Sequence, residues 1–194
     1  VHKSREWNTN TQILEKAGLI LKKKSGGFYD RFRNRLMFPI FDMQNKSVGF
    51  GARTLDDSSS AKYLNSPETA IFHKSKTLFG INLAKSSIIK KRKILIMEGY
   101  TDVIMAHQCG IDWSVALLGT ALTRDHVKIL KRYCDKATLV LDADNAGQRS
   151  SERSLDTFIE EDFDVRVVLL PENYDPYDFL VKRGAEQLLK LEEK

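Results

Sequence analysis

Two apolar, β-rich runs of the sequence end on acidic residues. Residues 93–97 stop at Glu98, and residues 137–141 stop at Asp142 and Asp144. The carboxyl ends of parallel strands lie along one edge of an open α/β sheet, so the three carboxylates are predicted to meet there. Carboxylates that lie close together repel one another, and a divalent cation such as Mg²⁺ would neutralise them.

The same acids also admit a structural role. Acidic residues after strands are common in turns and at helix N-termini, so Asp144 can instead cap a helix that begins near Ala146. The presence of Glu98 at an equivalent strand end favours the metal site, and both interpretations stay open at this point.

A sheet must position these acids, and the second half of the sequence predicts one. The predicted strands are 93–97, 113–118, 137–141 and 165–170, and the predicted helices are 100–108, 124–134, 146–161 and a segment after Asp175-Pro176. Gly110 can end the first of these helices, and Thr123 can cap the second. Strands that alternate with helices predict a Rossmann-like parallel sheet flanked by helices. The sequence contains neither Gly-x-Gly-x-x-Gly nor a Walker A motif.

The first half of the sequence predicts a smaller, mixed α+β subdomain. Its predicted elements are a helix over 10–21 with Asn10 or Thr11 as N-cap, a hairpin of strands 35–41 and 47–53, and a helix over 78–91. Gly18 is a candidate interruption or end of the first helix, and residues 64–69 read as irregular.

Charge is distributed unevenly along the 194 residues, whose formal net charge is +5. Residues 1–97 contain 19 Lys and Arg against 7 Asp and Glu, a net charge of +12, and residues 98–194 contain 12 against 19, a net charge of −7. A basic half beside an acidic, metal-suited half is typical of a protein that handles phosphates. The alternative is that these charges only solvate the surface.

Composition disfavours membrane, secreted and zinc-dependent classes. No apolar run approaches the roughly 20 residues that cross a bilayer, and residues 1–7 carry no signal-peptide core, so we expect a cytoplasmic protein without membrane contacts. Cys109 and Cys134 form no Cys-x-x-Cys pair, which predicts two buried thiols rather than a disulfide or a zinc site. None of the four histidines lies at ligand spacing from a Cys or another His.

Three ordered stretches of the second half resemble the TOPRIM domain of primases, topoisomerases and some nucleases. They are Glu98-Gly99-Tyr100-Thr101-Asp102, Leu118-Gly119-Thr120-Ala121-Leu122-Thr123 and Asp142-Ala143-Asp144-Asn145-Ala146-Gly147. Three upstream stretches are similar to the catalytic core of bacterial DnaG-type primases. They are residues 29–40 (YDRFRNRLMFPI), 49–53 (GFGAR) and 62–69 (KYLNSPET). The resemblance covers about residues 28–190.

The resemblance implies a metal centre at the predicted sheet edge. It assigns the catalytic Mg²⁺ ions, with Mn²⁺ as a substitute, to Glu98, Asp142 and Asp144. It also implies that Asp102 and Asp175 line the same acidic rim.

Two positions of these motifs depart from the family pattern. Ala143 replaces the glycine between the paired acids, so a small residue is retained. Tyr177 stands where family members often have a second acid, and Asp178 follows it, which leaves Asp178 as a further candidate ligand.

The resemblance also implies a face that binds nucleotide phosphates or template. Its expected residues are Arg53, Lys62, Tyr63 and Asn65. Arg33 and Arg35 are weaker candidates, because either can pair with Asp30 instead. Tyr63 and Phe72 are candidate stacking surfaces for bases, although core packing is favoured for both.

The function implied is that of the RNA-polymerase core of a bacterial primase. Such a core joins ribonucleoside triphosphates into an RNA primer on single-stranded DNA by two-metal nucleotidyl transfer. The expected domains are the basic N-terminal subdomain (1–92), the TOPRIM domain (93–173) and the start of a C-terminal helical segment (174–194). The zinc-binding module of the family, and the domain that docks on the replicative helicase, are expected outside this fragment, so no zinc is expected within it.

Two other classes stay open. A TOPRIM nuclease would use Glu98, Asp142 and Asp144 to hydrolyse phosphodiesters without needing nucleoside triphosphates. A non-catalytic module for single-stranded DNA would keep the basic half and tolerate loss of the acids. The basic motifs between residues 29 and 69 favour polymerisation over both.

Overall fold

The structure is a computed structural model that describes residues 9–56, 61–141, 154–171 and 174–192. The chain divides into two compact units, one of residues 1–40 and 47–73 and the other of residues 41–46 and 74–194. The functional domains expected at 1–92, 93–173 and 174–194 remain a prediction.

The described chain before residue 74 forms one helix and two small sheets. Its elements are α1 (Thr11–Lys16), β1 (Ile20–Lys22), β2 (Phe28–Asp30), β3 (Arg35–Phe41), β4 (Ser47–Thr54) and β5 (Tyr63–Asn65). β1 pairs antiparallel with β2, and the other three strands form a sheet in the order β3-β4-β5. The strands predicted over 35–41 and 47–53 are confirmed, with one further residue in β4.

The first helix begins as predicted and ends earlier. Asn10 caps it, because its side chain accepts the backbone N–H of Gln12 at 2.8 Å. Gly18 has a left-handed φ of 70° and lies so close to Pro67 that an added Cβ would be 2.4 Å from the proline Cδ. The helix therefore stops at Lys16, and the prediction that it continues to residue 21 is wrong.

Three short strands, β1, β2 and β5, are not predicted by the sequence. Each contains three residues, too few for an alternating pattern to identify, and residues 64–69 had an irregular prediction. Pairing creates these strands: β5 runs antiparallel to β4, with Arg53 opposite Tyr63 and Gly51 opposite Asn65.

The second unit contains a four-stranded parallel sheet in the order β7-β6-β8-β9. Its elements are α2 (Ile81–Lys91), β6 (Lys93–Met97), α3 (Tyr100–Gln108), β7 (Ser114–Ala116), α4 (Arg124–Leu130), β8 (Lys136–Leu141), α5 (helical over 154–160), β9 (Asp164–Leu169), α6 (Pro176–Arg183) and α7 (Ala185–Glu192). The predicted Rossmann-like sheet with flanking helices is thus confirmed, whereas the predicted helix start near Ala146 lies outside the described residues.

Three helical segments of the second unit differ from the predictions, two of them for identifiable reasons. The helix predicted from residue 78 begins at Ile81, because Phe79 pairs with Ala116 through two backbone hydrogen bonds of 2.9 and 3.1 Å and stays extended. The last helical segment is divided at Gly184, whose φ of 80° is left-handed. The helix predicted over 124–134 ends at Leu130.

The core of the second unit is built around β6. This strand lies between β7 and β8, and all of its residues from Ile94 to Met97 are buried. Cys134 is buried in this core, as predicted, and burial raises the pKa of its thiol to about 12. Cys109 is only half-buried, so its prediction as a buried thiol is wrong. None of the helices within the described residues is long and apolar enough to cross a membrane.

Leu95→Ala should lower the free energy of unfolding by about 2–5 kcal/mol, because it removes a core side chain from the central strand. Leu95 is 0% exposed, whereas Leu83 on α2 is 70% exposed. Urea unfolding followed by circular dichroism measures the difference. Leu83→Ala deletes the same atoms and should change the free energy by less than about 0.5 kcal/mol. Equal losses in the two variants would contradict the central position of β6.

Candidate metal centre and nucleic-acid interface

A cavity of about 280 Å³ lies where β6 and β8 end at the carboxyl edge of the parallel sheet. The loop after β7 contributes Leu117 and residues 119–121 to its wall. The side chains of Glu98, Thr120 and Ser154 give this wall polar groups. Glu98 follows β6 directly and is exposed, so the structure places the first predicted ligand at the predicted edge.

The helix that follows Glu98 holds the turn in which this carboxylate sits. Asp102, in the first turn of α3, is buried, and its Oδ2 accepts the backbone N–H of Gly99 at 3.0 Å. A Cβ added at Gly99 would lie 2.6 Å from that oxygen, so the close contact depends on glycine. The structure therefore gives Asp102 a positioning role beside Glu98, and its role as a metal ligand stays a prediction.

The loop that closes the other side of the cavity is held by a hydrogen-bonded cap. Thr123 caps α4, as predicted: its Oγ1 accepts the N–H of His126 at 3.2 Å and donates to the carbonyl oxygen of Ser75 at 2.6 Å. His126 is buried; its Nδ1 accepts the Thr123 N–H at 3.2 Å, and its Nε2 lies 3.3 Å from the Thr77 carbonyl oxygen. Burial is the main reason that the pKa of His126 is lowered, and the neutral ring keeps Nδ1 available as an acceptor.

The cavity has features that suit a hydrated cation. Glu98 supplies an exposed carboxylate, the ligand type that Mg²⁺ prefers. The buried Oγ1 of Thr120 has no hydrogen-bond partner among the described residues. Asp142 and Asp144, the other two predicted ligands, lie outside the described residues. Within the described ranges, no three His, Cys, Asp or Glu side chains form a metal-binding group.

Asp175 and Asp178 lie together at the start of α6. Asp175 is the N-cap: its Oδ1 accepts the N–H of Asp178 at 2.7 Å. Asp178 also forms an ion pair with Lys182, with an Nζ–Oδ2 distance of 3.0 Å. Helix α6 contacts α3, the helix after Glu98, but among the described acids only Glu98 lines the cavity. The expectation that Asp175 and Asp178 reach the metal rim stays a prediction.

In the first unit, the structure brings the predicted phosphate-binding residues together on β4 and β5. Arg53 and Tyr63 lie opposite each other, and the Arg53 Cζ is 5.9 Å from the centre of the Tyr63 ring. Lys62 precedes Tyr63 and is exposed, and Asn65 ends the same strand. Tyr63 is 40% exposed, so the core packing favoured for it is wrong.

The second candidate stacking surface, Phe72, is 0% exposed and belongs to the core. This outcome matches the core packing that the sequence analysis favoured. Gly49 allows the burial, because an added Cβ there would lie 3.1 Å from the Phe72 ring.

The weaker arginine candidates have structural contacts of their own. The Arg33 Cζ lies 5.0 Å from the centre of the Tyr29 ring, and an Arg35 Nη1 donates to the Lys62 carbonyl oxygen at 3.5 Å. Sequence reasoning missed Arg31, whose Nη2 donates to the Asn65 carbonyl oxygen at 3.1 Å. The irregular prediction for residues 64–69 left no signal for this bond.

Two family models match successive parts of the chain. The "DNA primase catalytic core, N-terminal domain" model matches residues 1–85, and the "Toprim-like" model matches residues 95–180. The fold and site thus define a Toprim protein of the primase class, with the parallel sheet of the second unit as its Toprim portion.

Individual relatives narrow this class. The DNA primase of Clostridium acetobutylicum is 48% identical over 185 residues, which cover 95% of this chain and 30% of the relative. The crystal structure of a DNA primase domain from Pseudomonas aeruginosa has a TM-score of 0.90 at 37% identity, over 95% of this chain and 59% of that one. A structure of the DnaG primase catalytic domain bound to ssDNA has a TM-score of 0.89 at 36% identity, over 98% and 63%.

The chain belongs to the bacterial DnaG-type DNA primase family, and the resemblance found in the sequence is confirmed. It spans 30% of the length of the Clostridium acetobutylicum relative.

Gly99→Ala should displace the Asp102 carboxylate from the backbone of the Glu98 turn, because the new methyl group would occupy its position. We expect a loss of about 1–3 kcal/mol in the free energy of unfolding, the scale of a buried polar group left without its partner. Urea unfolding of Gly99→Ala, Asp102→Ala and the double variant forms a thermodynamic cycle.

The cycle has a definite expected sign. Asp102→Ala should be less destabilising when Gly99 is already alanine, since the hydrogen bond is then already broken. Additive losses would contradict the proposed dependence of the Asp102 contact on Gly99.

Proposed function

We propose that this chain is the catalytic core of a DNA primase and supports synthesis of short RNA primers from ribonucleoside triphosphates on single-stranded DNA. The observation that carries the proposal is the exposed carboxylate of Glu98 beside a cavity at the carboxyl edge of the parallel sheet. Membership of the primase family gives this carboxylate a chemical context: transfer of a nucleotidyl group with divalent metal.

We assign the metal to Glu98 together with Asp142 and Asp144, which lie outside the described residues. The bound Mg²⁺ ions, or Mn²⁺ in their place, would activate the primer 3′-hydroxyl and stabilise the charge of the leaving pyrophosphate. Asp102 keeps the Glu98 turn in place through the Gly99 N–H. Asp175 and Asp178 contribute negative charge near the start of α6. No zinc is assigned to this chain.

The phosphates of the substrate or template are assigned to the first unit. Arg53 and Lys62 are exposed cations on neighbouring segments, and Tyr63 offers a half-exposed ring against Arg53. Arg33 and Arg35 add positive charge along the same part of the chain, and Asn65 adds an amide. Arginine and lysine bind phosphate without reading base identity, which suits a template of any sequence.

The remaining partners follow from the same proposal. A single-stranded DNA template is supported by the related catalytic domain whose structure was determined with ssDNA. The RNA primer would be the product, and it would stay paired with the template while it is extended. A replicative helicase would contact the longer protein through a domain outside this sequence, and the setting would be cytoplasmic.

Glu98→Gln should abolish most metal-dependent primer synthesis, because it removes a negatively charged ligand and keeps the side-chain size. We expect a fall of about 10²-fold or more in the rate of ribonucleotide incorporation on single-stranded DNA with Mg²⁺ or Mn²⁺. Binding of Mn²⁺, followed by electron paramagnetic resonance, should weaken in parallel, whereas the urea midpoint should stay close to wild type.

Glu186→Gln is the matched control, because its side chain is 79% exposed on α7 and pairs with Lys190 away from the cavity. It should retain both Mn²⁺ binding and synthesis. Equal activity in wild type and Glu98→Gln would overturn the metal assignment. Metal-dependent strand cleavage without synthesis in the wild type would replace the polymerase proposal with a nuclease.

Arg53→Ala and Lys62→Ala should each weaken binding of single-stranded DNA and make it less dependent on salt. Loss of one phosphate contact should make the slope of log K against log salt shallower by about 0.7. Fluorescence anisotropy with labelled oligo(dT) at several salt concentrations measures this slope. Lys46→Ala, in the β3–β4 turn, removes one exposed positive charge elsewhere and should leave the slope unchanged. An unaltered slope in both test variants would show that Arg53 and Lys62 are solvated surface charges that do not contact phosphate.

A further inference from the structure

The β1–β2 hairpin ends in a lysine-rich tip that the proposed function does not use. We define the hairpin tip as residues 22–27 (KKKSGG), all of which are exposed. Between Glu15 and Asp30 the sequence contains four lysines and no acidic residue. The tip is therefore a concentrated positive charge at the end of a two-stranded ribbon.

The backbone of the hairpin tip has a defined shape. Gly26 N–H donates to the Lys23 carbonyl oxygen at 3.1 Å, and Lys23 N–H donates to the Gly27 carbonyl oxygen at 3.0 Å. Gly26 and Gly27 have left-handed φ angles of 91° and 77°, and an added Cβ on either would meet nothing within 4 Å. Glycine is thus needed for backbone conformation rather than for packing, and the turn places Lys24 at its apex and Lys23 at its first position.

Two lysines of the hairpin tip form no ion pair with any carboxylate that the structure describes. Lys22 forms an ion pair with Glu15 at 3.2 Å. Lys23 and Lys24 have no carboxylate partner among the described residues. Several exposed cations of the second unit do have carboxylate partners: Arg92 pairs with Asp135, Arg124 with Glu160 and Lys182 with Asp178.

The base of the hairpin is attached to the strand that carries the proposed phosphate-binding residues. Arg31, which follows β2, donates from Nη2 and Nε to the Asn65 carbonyl oxygen at 3.1 and 3.4 Å. The backbone N–H of Arg31 donates to the Leu19 carbonyl oxygen at 2.9 Å. Because Leu19 precedes β1 and Arg31 follows β2, this bond joins the two ends of the hairpin. Lys23 lies four residues beyond Leu19. At the rise of a β-strand, four residues span up to about 13 Å.

We propose that the hairpin tip is an additional contact for the phosphate backbone of the single-stranded nucleic acid that lies on β4 and β5. This inference rests on the proposed function and extends the binding surface by the reach of the hairpin. Lysine ammonium groups on flexible stems bind phosphates as point charges and do not read bases. Lys23 and Lys24 would therefore add affinity, and salt dependence, without adding sequence preference.

The double variant Lys23→Ala/Lys24→Ala tests the inference on the full chain. Binding of a labelled oligo(dT) of about 20 nucleotides should show a slope against log salt shallower by about 1.4, from two contacts of about 0.7 each. Between 50 and 200 mM salt, the fold-decrease in affinity should then be about seven times smaller for the variant than for the wild type. Lys23→Arg/Lys24→Arg keeps both charges and should retain the wild-type slope.

Lys90→Ala/Lys136→Ala is the matched control, because it removes two exposed lysines of the second unit. This control should keep the wild-type slope. If its slope changed as much as that of the tip variant, net charge alone would explain the effect and the inference would be overturned. An unchanged slope in the tip variant, with a shallower slope in Arg53→Ala, would overturn the role of the hairpin tip alone. Unchanged slopes in both would overturn the phosphate-binding face of the proposed function as well.

Discussion

The register of β6 between its two parallel neighbours is the constraint on which the candidate metal centre depends. Met97 pairs with Ala116 of β7, and Ile96 pairs with Leu139 of β8, so the three strands end close to one another. Burial of β6 on both faces makes this register strongly preferred, since a shift of one residue would misfit every side chain in its packing and draw a charged end residue, Lys93 or Glu98, into the buried span. Glu98 comes to the edge of the cavity because it is the first residue after this buried run.

Backbone capping converts this edge into a defined site. On one side the Asp102 carboxylate accepts the N–H of Gly99. On the other, at the start of α4, the Thr123 hydroxyl oxygen accepts the backbone N–H of His126, and the His126 ring accepts the backbone N–H of Thr123. These groups satisfy helix N-terminal N–H donors that would otherwise lack partners beside the cavity. Their second effect is to limit the positions that Glu98 and the 119–121 loop can adopt, and a carboxylate confined in this way is well suited to hold a cation.

The cationic side chains of the two units contact different kinds of partner. In the second unit, exposed cations such as Arg92 and Arg124 form ion pairs with carboxylates. In the first unit, arginines contact tyrosine rings and backbone carbonyl oxygens, as Arg33 does with Tyr29 and Arg31 with Asn65. Such contacts orient a guanidinium without neutralising it, so the positive field over β4, β5 and the hairpin persists and can attract a polyanion.

The sequence was sufficient for the parallel sheet, because long buried strands and intervening helices leave strong local patterns: 93–97 and 100–108 were predicted to the residue, as was the Thr123 cap. The sequence also predicted Glu98 at the sheet edge, because the first residue after a buried parallel strand lies at the carboxyl edge of the sheet. The three-residue strand β5 is only partly buried and carries no such pattern, and only its pairing with β4 places Arg53 opposite Tyr63. Two other contacts were likewise decided by the tertiary structure: Gly18 lies against Pro67 just after α1 ends at Lys16, and Arg31 is hydrogen-bonded to Asn65. These partners are 49 and 34 residues apart in the chain, so no local pattern predicts them.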